Sequence, residues 1–337
     1  MNALTCVAPG SFEYQEISMP PHTEGYSILK MKRVGICGTD FHSFKGVQPY
    51  FSYPRILGHE LAAEIFATDR TDFKKGELVT IIPYFHCGNC IACRNGKTNC
   101  CVSLKVCGVH IDGGMASYFS VPSYSLVHAE GLNPDQLALV EPFAIGAHAI
   151  RKACIKENEF VLISGAGPIG LALAGFANIA GARVIITDIN KRRLEFCKNN
   201  WGVEYTLDAG NSDIREQLMS ITNGDMPSVV IDATGNQKAI NNLFQYMSHG
   251  AKYILVGLQK EMISFSHPEF HKREATLMSS RNATREDFEF VIECIKKGKI
   301  NYKAYITHHI PFSEVKNKFE NLMNPAEGNI KAIVEME

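Results

Sequence analysis

Four compact apolar runs recur through the middle of the chain: FVLIS (160–164), RVIITD (183–188), SVVIDAT (228–234) and KYILVGL (252–258). Runs that are apolar at successive positions suit strands buried on both faces. Between them lie segments with helical spacing or small-residue composition, LALAGFANIA, KRRLEFCKN and QKAINNLFQYM. Strand, helix and strand in alternation predict parallel strands joined by crossover helices, and therefore a doubly wound α/β sheet over roughly residues 143–280.

The first 140 residues are patterned differently. YSILKMKRVGI, ELVTIIP and YFSVP are short β-type runs broken by clusters of Gly, Pro and Asn, with little helical periodicity. They predict an irregular β domain. Beyond residue 280, REDFEFVIECIKKGKI reads as an amphipathic helix and IKAIVEM as a closing strand. The chain has no internal repeat or long linker, which predicts two domains that share an interface.

Composition changes this picture little and charge narrows it. The 337 residues are 45% hydrophobic and 20% charged, ordinary for a globular protein, and long enough for about two domains. Thirty-four Lys and Arg oppose 35 Asp and Glu with no basic run, which argues against nucleic acid as a partner. The N-terminal MNALTCVAPGSFEYQEISMPP lacks the basic and apolar regions of a secretion signal, and no apolar run approaches membrane-spanning length. A cytoplasmic location follows as an expectation. In that reducing setting, clustered thiols are read as metal ligands before disulfides.

GAGPIG (165–170) sits directly after a predicted strand and opens a helix. Gly165, Gly167 and Gly170 then allow a tight turn whose N–H groups meet a pyrophosphate, with Pro168 and Ile169 in the same turn. Asp188 ends the next strand about 20 residues on, where its carboxylate can accept hydrogen bonds from a ribose 2′-OH, and Arg193 can flank the adenosine. Val256 and Gly257, at the end of the fourth apolar run, complete the candidate cofactor set. The acid favours NAD over NADP, because it would repel a 2′-phosphate.

Two groups of candidate metal ligands stand out. CGNCIACRNGKTNCC (87–101) holds Cys87, Cys90 and Cys93 at two-residue gaps, closed by Cys100 or Cys101. Four thiolates form a closed tetrahedron that holds a loop and leaves no position for a substrate. The other group is scattered: Cys37 in VGICGTDFHSFKG, His59 and Glu60 in ILGHE, and Glu141 in EPFAIGAHA. A thiolate, an imidazole and a carboxylate leave the fourth position of a zinc ion free, as catalytic zinc requires.

GICGTDxH, GHE, the cysteine cluster, EPxxxxxHA and GAGPIG, in that order, resemble the zinc-dependent medium-chain alcohol and polyol dehydrogenases over essentially the whole chain. The resemblance implies a GroES-like catalytic β domain from residues 1–142 and 281–337, a Rossmann NAD-binding domain over 143–280, and a cleft between them. It implies two zinc ions per chain: a catalytic one on Cys37, His59 and Glu141, as in the sorbitol dehydrogenase-like branch, and a structural one on Cys87, Cys90, Cys93 and Cys101. Glu60 is implied as a neighbouring or exchanging ligand, Thr39 as the hydroxyl that takes the alcohol proton, and His42 as the residue that passes it to solvent. In two places the chain departs from the family pattern. Ala63 stands where a glycine is usual, and ATDRTDFKKGEL replaces the usual V-G-x-G-V turn, which puts the geometry of that turn in question.

YFSYPRILGHE, GGMASY, IDATGNQKAINN and PEFHKREATLMSSRNATREDF are similar to the L-galactonate 5-dehydrogenases, which oxidise a sugar acid at C5 to a keto acid. A sugar acid needs cations or N–H donors for its carboxylate. His110, Arg281, Asn282, His271 and Lys272 are candidates; in HKRE the last two also fit a solvated charge cluster. A neutral polyol dehydrogenase of the sorbitol or xylitol type, sharing every zinc and cofactor residue, remains the alternative, and a non-catalytic zinc-containing NAD(H)-binding protein a remote one. A homodimer or homotetramer is expected, with the sheet continuing across subunits near KYILVGL and ISFS.

Overall fold

The computed structural model describes residues 1–336, which divide into two compact units. The first comprises Met1–Glu141, Ala283–Gly298 and Tyr302–Glu337, and the second Pro142–Asn282 with Lys299–Asn301. The chain is an α/β protein with an irregular β unit and a parallel-sheet unit. No helix among the described residues is long and apolar enough to cross a membrane.

The first unit is organised around one long strand, Tyr26–Ile36. Its N-terminal half pairs antiparallel with Tyr118–Pro122, from Tyr26 opposite Pro122 to Lys30 opposite Tyr118. Its C-terminal half pairs with Lys331–Glu335, the predicted closing strand, with Ile36 opposite Ala332. On its other side runs Glu60–Ala67, with Gly35 opposite Glu60. A single strand therefore brings residues 33–36, 60 and 331 side by side, although they are far apart in the chain. Leu29, Met31, Leu61, Ile65 and Val334 alternate inward from these strands and are essentially buried, so the pairing is locked by the core on one face.

The departures from the family pattern cost no ligand and no strand. Ala63 sits in ordinary ladder geometry opposite Val79. ATDRTDFKKGEL closes an antiparallel connection between Glu60–Ala67 and Leu78–Ile81. Phe73 is buried under His128, with ring centroids 3.7 Å apart, and Arg70 pairs with Asp72.

The second unit is a six-stranded all-parallel sheet in the order Tyr205–Asp208, Arg183–Asp188, Phe160–Ser164, Val229–Asp232, Lys252–Leu255, Thr276–Ser279. The chain reverses direction of progress beside Phe160–Ser164, the topological switch point where ligands bind in such sheets. The four apolar runs are the four central strands. Reading the sequence missed the two outer ones: YTLD and TLMS are only four residues long and partly exposed, so they lack a continuous apolar signal. This moves the sheet edge. KYILVGL is not an edge strand, because Thr276–Ser279 pairs with it, and ISFS is not a strand at all. The Asn236 side chain accepts the N–H of Ala239 and caps the helix Gln237–Leu243; the predicted helix ends there and continues as one 3-10 turn to Tyr246.

Candidate active site

Cys37 ends the long strand and caps the short helix Gly38–Phe44; the Asp40 carboxylate accepts the Cys37 N–H at 2.8 Å. His59 and Glu60 enter the neighbouring strand. One ligand atom from each of Cys37, His59 and Glu60 lies within 4.8 Å of the others. Room for the Glu60 carboxylate exists because its cross-strand neighbour is a glycine: a Cβ at Gly35 would come within 2.0 Å of Glu60 Oε2. The buried Lys331 ammonium donates to Glu60 Oε1 at 2.5 Å and Oε2 at 2.7 Å, and to the Ile36 carbonyl at 3.1 Å.

Glu141 does not join that group of three atoms. It is buried in the helix Val140–Ala153, and its Oε1 accepts a hydrogen bond from the Tyr84 hydroxyl. In this geometry the carboxylate within reach of both Cys37 and His59 is that of Glu60, and Glu141, the carboxylate the family resemblance implies, is on the Tyr84 phenol.

The electrostatics of this region suit a cation. Burial raises the Asp40 carboxyl above its ordinary range, and burial raises Glu141 to about 7, with Glu60 adding to the shift. Burial alone would lower both His59 and Lys331, yet the surrounding anions raise them, Asp40 and Cys37 acting on His59 and Glu60 and Cys37 on Lys331. Two buried polar atoms, Asp40 Oδ1 and His59 Nδ1, have no hydrogen-bond partner among the described residues and stand 3.8 Å apart. Three buried carboxylates and a thiol share one buried ammonium. A divalent cation would balance that charge, and the donor set of one sulfur, one imidazole and one carboxylate fits zinc. Asp40 would then steady the imidazole from behind, as carboxylates behind metal-bound histidines do.

Thr39 is half-buried in the first turn of Gly38–Phe44, and His42 is exposed in its last turn. Partial burial, helped by Lys45, lowers the His42 pKa from its ordinary value. The helix therefore runs from the Cys37 end to an imidazole whose protonated form is disfavoured by partial burial and by Lys45.

The second thiol group is compact. Sulfurs of Cys87, Cys90, Cys93 and Cys101 lie within 4.8 Å of one another, Cys90 to Cys93 at 3.5 Å; Cys100 lies outside the group and is exposed. Backbone N–H groups of Cys93 and Val102 draw the Cys90 thiol down to about 6, while desolvation and the neighbouring thiols push Cys93 up to about 12. Thiolate-favouring N–H groups around a site crowded with sulfur again fit a bound cation.

In the second unit, Gly165 ends the strand Phe160–Ser164 at φ +104°, and Gly167 caps the helix Pro168–Ile179. A Cβ at Gly170 would strike the Gly165 carbonyl at 1.8 Å, whereas one at Gly167 would meet only Arg193 Nη1 at 3.7 Å. The turn is thus tight inside and open above, the cradle a diphosphate needs. The Asp188 carboxylate accepts the N–H groups of Ala166 at 2.7 Å and Asn190 at 2.8 Å, tying the glycine turn to the next strand. Gly257 packs where a Cβ would lie 2.2 Å from the Gly235 nitrogen, and Val256 N–H bonds the Asp232 carbonyl at 3.0 Å. His110 accepts the Val106 N–H on Nδ1 in the first unit, with Tyr50 stacked 6.0 Å away. Arg281, exposed, and Asn282, at φ +52°, belong to the second. His271 and Lys272 end the short helix His267–Lys272, where His271 faces His267.

Asp40, Tyr84, Tyr305 and Lys331 were not singled out from the sequence. Tyr305 is fully buried and held neutral by burial and by the charges of Glu60, Cys37 and Glu141. Lys331 alone had a readable signal: a lysine opening an otherwise apolar strand, KAIVE.

The chain matches the alcohol dehydrogenase GroES-like domain over residues 23–131 and the zinc-binding dehydrogenase family over residues 168–297. It is 44% identical to an L-galactonate-5-dehydrogenase of Escherichia coli K12, over 95% of this chain and 94% of that one. It is 32% identical to a sorbitol dehydrogenase of Halalkalibacterium halodurans, over 90% of each. A solved structure described as a short chain alcohol dehydrogenase from Escherichia coli CFT073, complexed with NADH, superposes with a TM-score of 0.93 at 29% identity, covering 99% of both chains.

Proposed function

The chain belongs to the zinc-binding alcohol dehydrogenase family, and from that premise we propose that it oxidises a secondary alcohol of an L-galactonate-type sugar acid at C5, with NAD as hydride acceptor. The observation that carries the substrate class is the likeness, over nearly the whole length of both chains, to an L-galactonate-5-dehydrogenase. The likeness of the fold to a dehydrogenase complexed with NADH, and the Asp188 carboxylate beside the glycine turn, support the coenzyme.

Cys37 and His59, with Glu60 or Glu141, would hold the catalytic zinc, and Cys87, Cys90, Cys93 and Cys101 the structural one. Bound zinc supplies a Lewis acid that lowers the pKa of an alcohol, as it lowers that of water. Thr39 Oγ1, two residues beyond Cys37, accepts the substrate hydroxyl proton, and the His42 imidazole hands it to solvent. The N–H groups at Gly165–Gly170 hold the pyrophosphate, Asp188 holds the ribose, Arg193 flanks it, and Val256 and Gly257 line the same strand ends. His110, Arg281 and Asn282 bind the sugar acid. The enzyme works as a cytoplasmic homodimer or homotetramer.

Initial rates with NAD over L-galactonate, L-gulonate, sorbitol, xylitol, threonine and ethanol test this directly. The sugar acids are expected to dominate kcat/KM. A preference for sorbitol or xylitol would replace the reading with a neutral polyol dehydrogenase, the activity named for the 32% identical relative.

A further inference from the structure

Two buried glutamates adjoin Cys37 and His59, and each is restrained by a different partner. Both oxygens of Glu60 lie on the Lys331 ammonium, and Glu141 Oε1 lies on the Tyr84 hydroxyl. Only Glu60 reaches the three-atom cluster. Tyr84 is 4% exposed and stands on the two-residue strand Tyr84–Phe85, which pairs antiparallel with Lys105–Val106 three positions before Cys87. Its ring also packs edge-on against Phe288, with centroids 6.4 Å apart. The phenol is therefore anchored on both sides by backbone and ring packing, whereas the carboxylate it holds ends a flexible side chain.

We propose that Tyr84 is a positioning residue that withholds Glu141 from the Cys37–His59 centre, so that Glu60 completes the zinc ligands at rest and Glu141 is held in reserve as the exchanging carboxylate. The loop that ends in the four-cysteine cluster thereby carries a residue that governs the other metal centre. A purely structural tyrosine would only lose stability on substitution; a withholding tyrosine gives a rescue.

The inference rests on Cys37 and His59 being zinc ligands, and zinc titration against a chromophoric chelator separates the two ideas. The wild-type chain is expected to bind two zinc equivalents, and one equivalent would sink that reading and this inference together. Glu60→Gln is expected to weaken the second equivalent. Adding Tyr84→Phe, which keeps the packed ring, is expected to restore binding by about tenfold, the scale on which groups behind metal ligands act. Adding Glu141→Gln as well should abolish the gain, and the visible absorption of the cobalt-substituted proteins should follow the same pattern. Unchanged affinity in Glu60→Gln, no gain from Tyr84→Phe, or a gain that survives Glu141→Gln would each overturn the inference while leaving the two-zinc reading in place.

Discussion

The two clusters of candidate metal ligands are built in opposite ways. The four-cysteine group is drawn from Cys87–Cys101, fifteen consecutive residues, and owes its shape to local turns and backbone N–H groups. The Cys37–His59–Glu60 group is assembled by sheet pairing, and the ion pair that stabilises it, Lys331 to Glu60, spans 271 positions. A local cluster can form wherever its own loop folds; a distributed one exists only when the β unit is complete. The first therefore suits a scaffold. The second, buried, short of hydrogen-bond partners and rich in anions, suits chemistry.

Breaking the distributed cluster at a ligand should cost the most activity. His59→Ala is expected to lower kcat/KM by on the order of 10³-fold, since Lewis-acid stabilisation amounts to several kcal/mol and each factor of ten to about 1.4 kcal/mol.

Breaking its ion pair should instead cost stability. Lys331→Met leaves Glu60 buried and unpaired, for which about 3–5 kcal/mol is expected in chemical denaturation. Zinc, if bound, would offset part of this, so the loss should grow when the metal is chelated.

The local cluster should respond the other way round. Cys101→Ser is expected to lose one zinc and lower the melting temperature by roughly 4 °C, equivalent to about 3 kcal/mol in a chain of this size. Cys100→Ser should do neither. Equal losses from both would mean that the exposed Cys100 takes part.

The smallest effect lies at the outer end of the helix from Cys37. Burial lowers the His42 pKa, so the imidazole accepts a proton down to a pH below its ordinary 6.5. Activity should fall only as pH drops through that lowered value, where His42 becomes cationic. His42→Gln is expected to flatten that acid limb and cost roughly tenfold in kcat, less than the about 100-fold or more of a direct general acid or base, because His42 only passes on a proton that Thr39 has taken.

The legibility of the molecule from its sequence follows the same division. The central strands of the parallel sheet were readable because both faces are buried and the runs are continuously apolar, whereas Tyr205–Asp208 and Thr276–Ser279 were not, because outer strands are short and half-wet. The glycine turn and the cysteine spacing were readable because each encodes its geometry within a few residues. Cys37, His59 and Glu141 could be grouped only through the family resemblance, since no spacing rule connects them.

By itself, then, the sequence determined the features whose partners lie nearby in the chain: the alternation that makes a doubly wound sheet, the tight glycine turn at Gly165–Gly170, and the thiol cluster at Cys87–Cys101. Tertiary structure alone decided that Gly35 clears space for Glu60, that Lys331 neutralises it, and that Tyr84 rather than the centre holds Glu141. Buried charges are settled by whichever groups the fold leaves beside them, and those groups come from strands and loops that are adjacent only after folding.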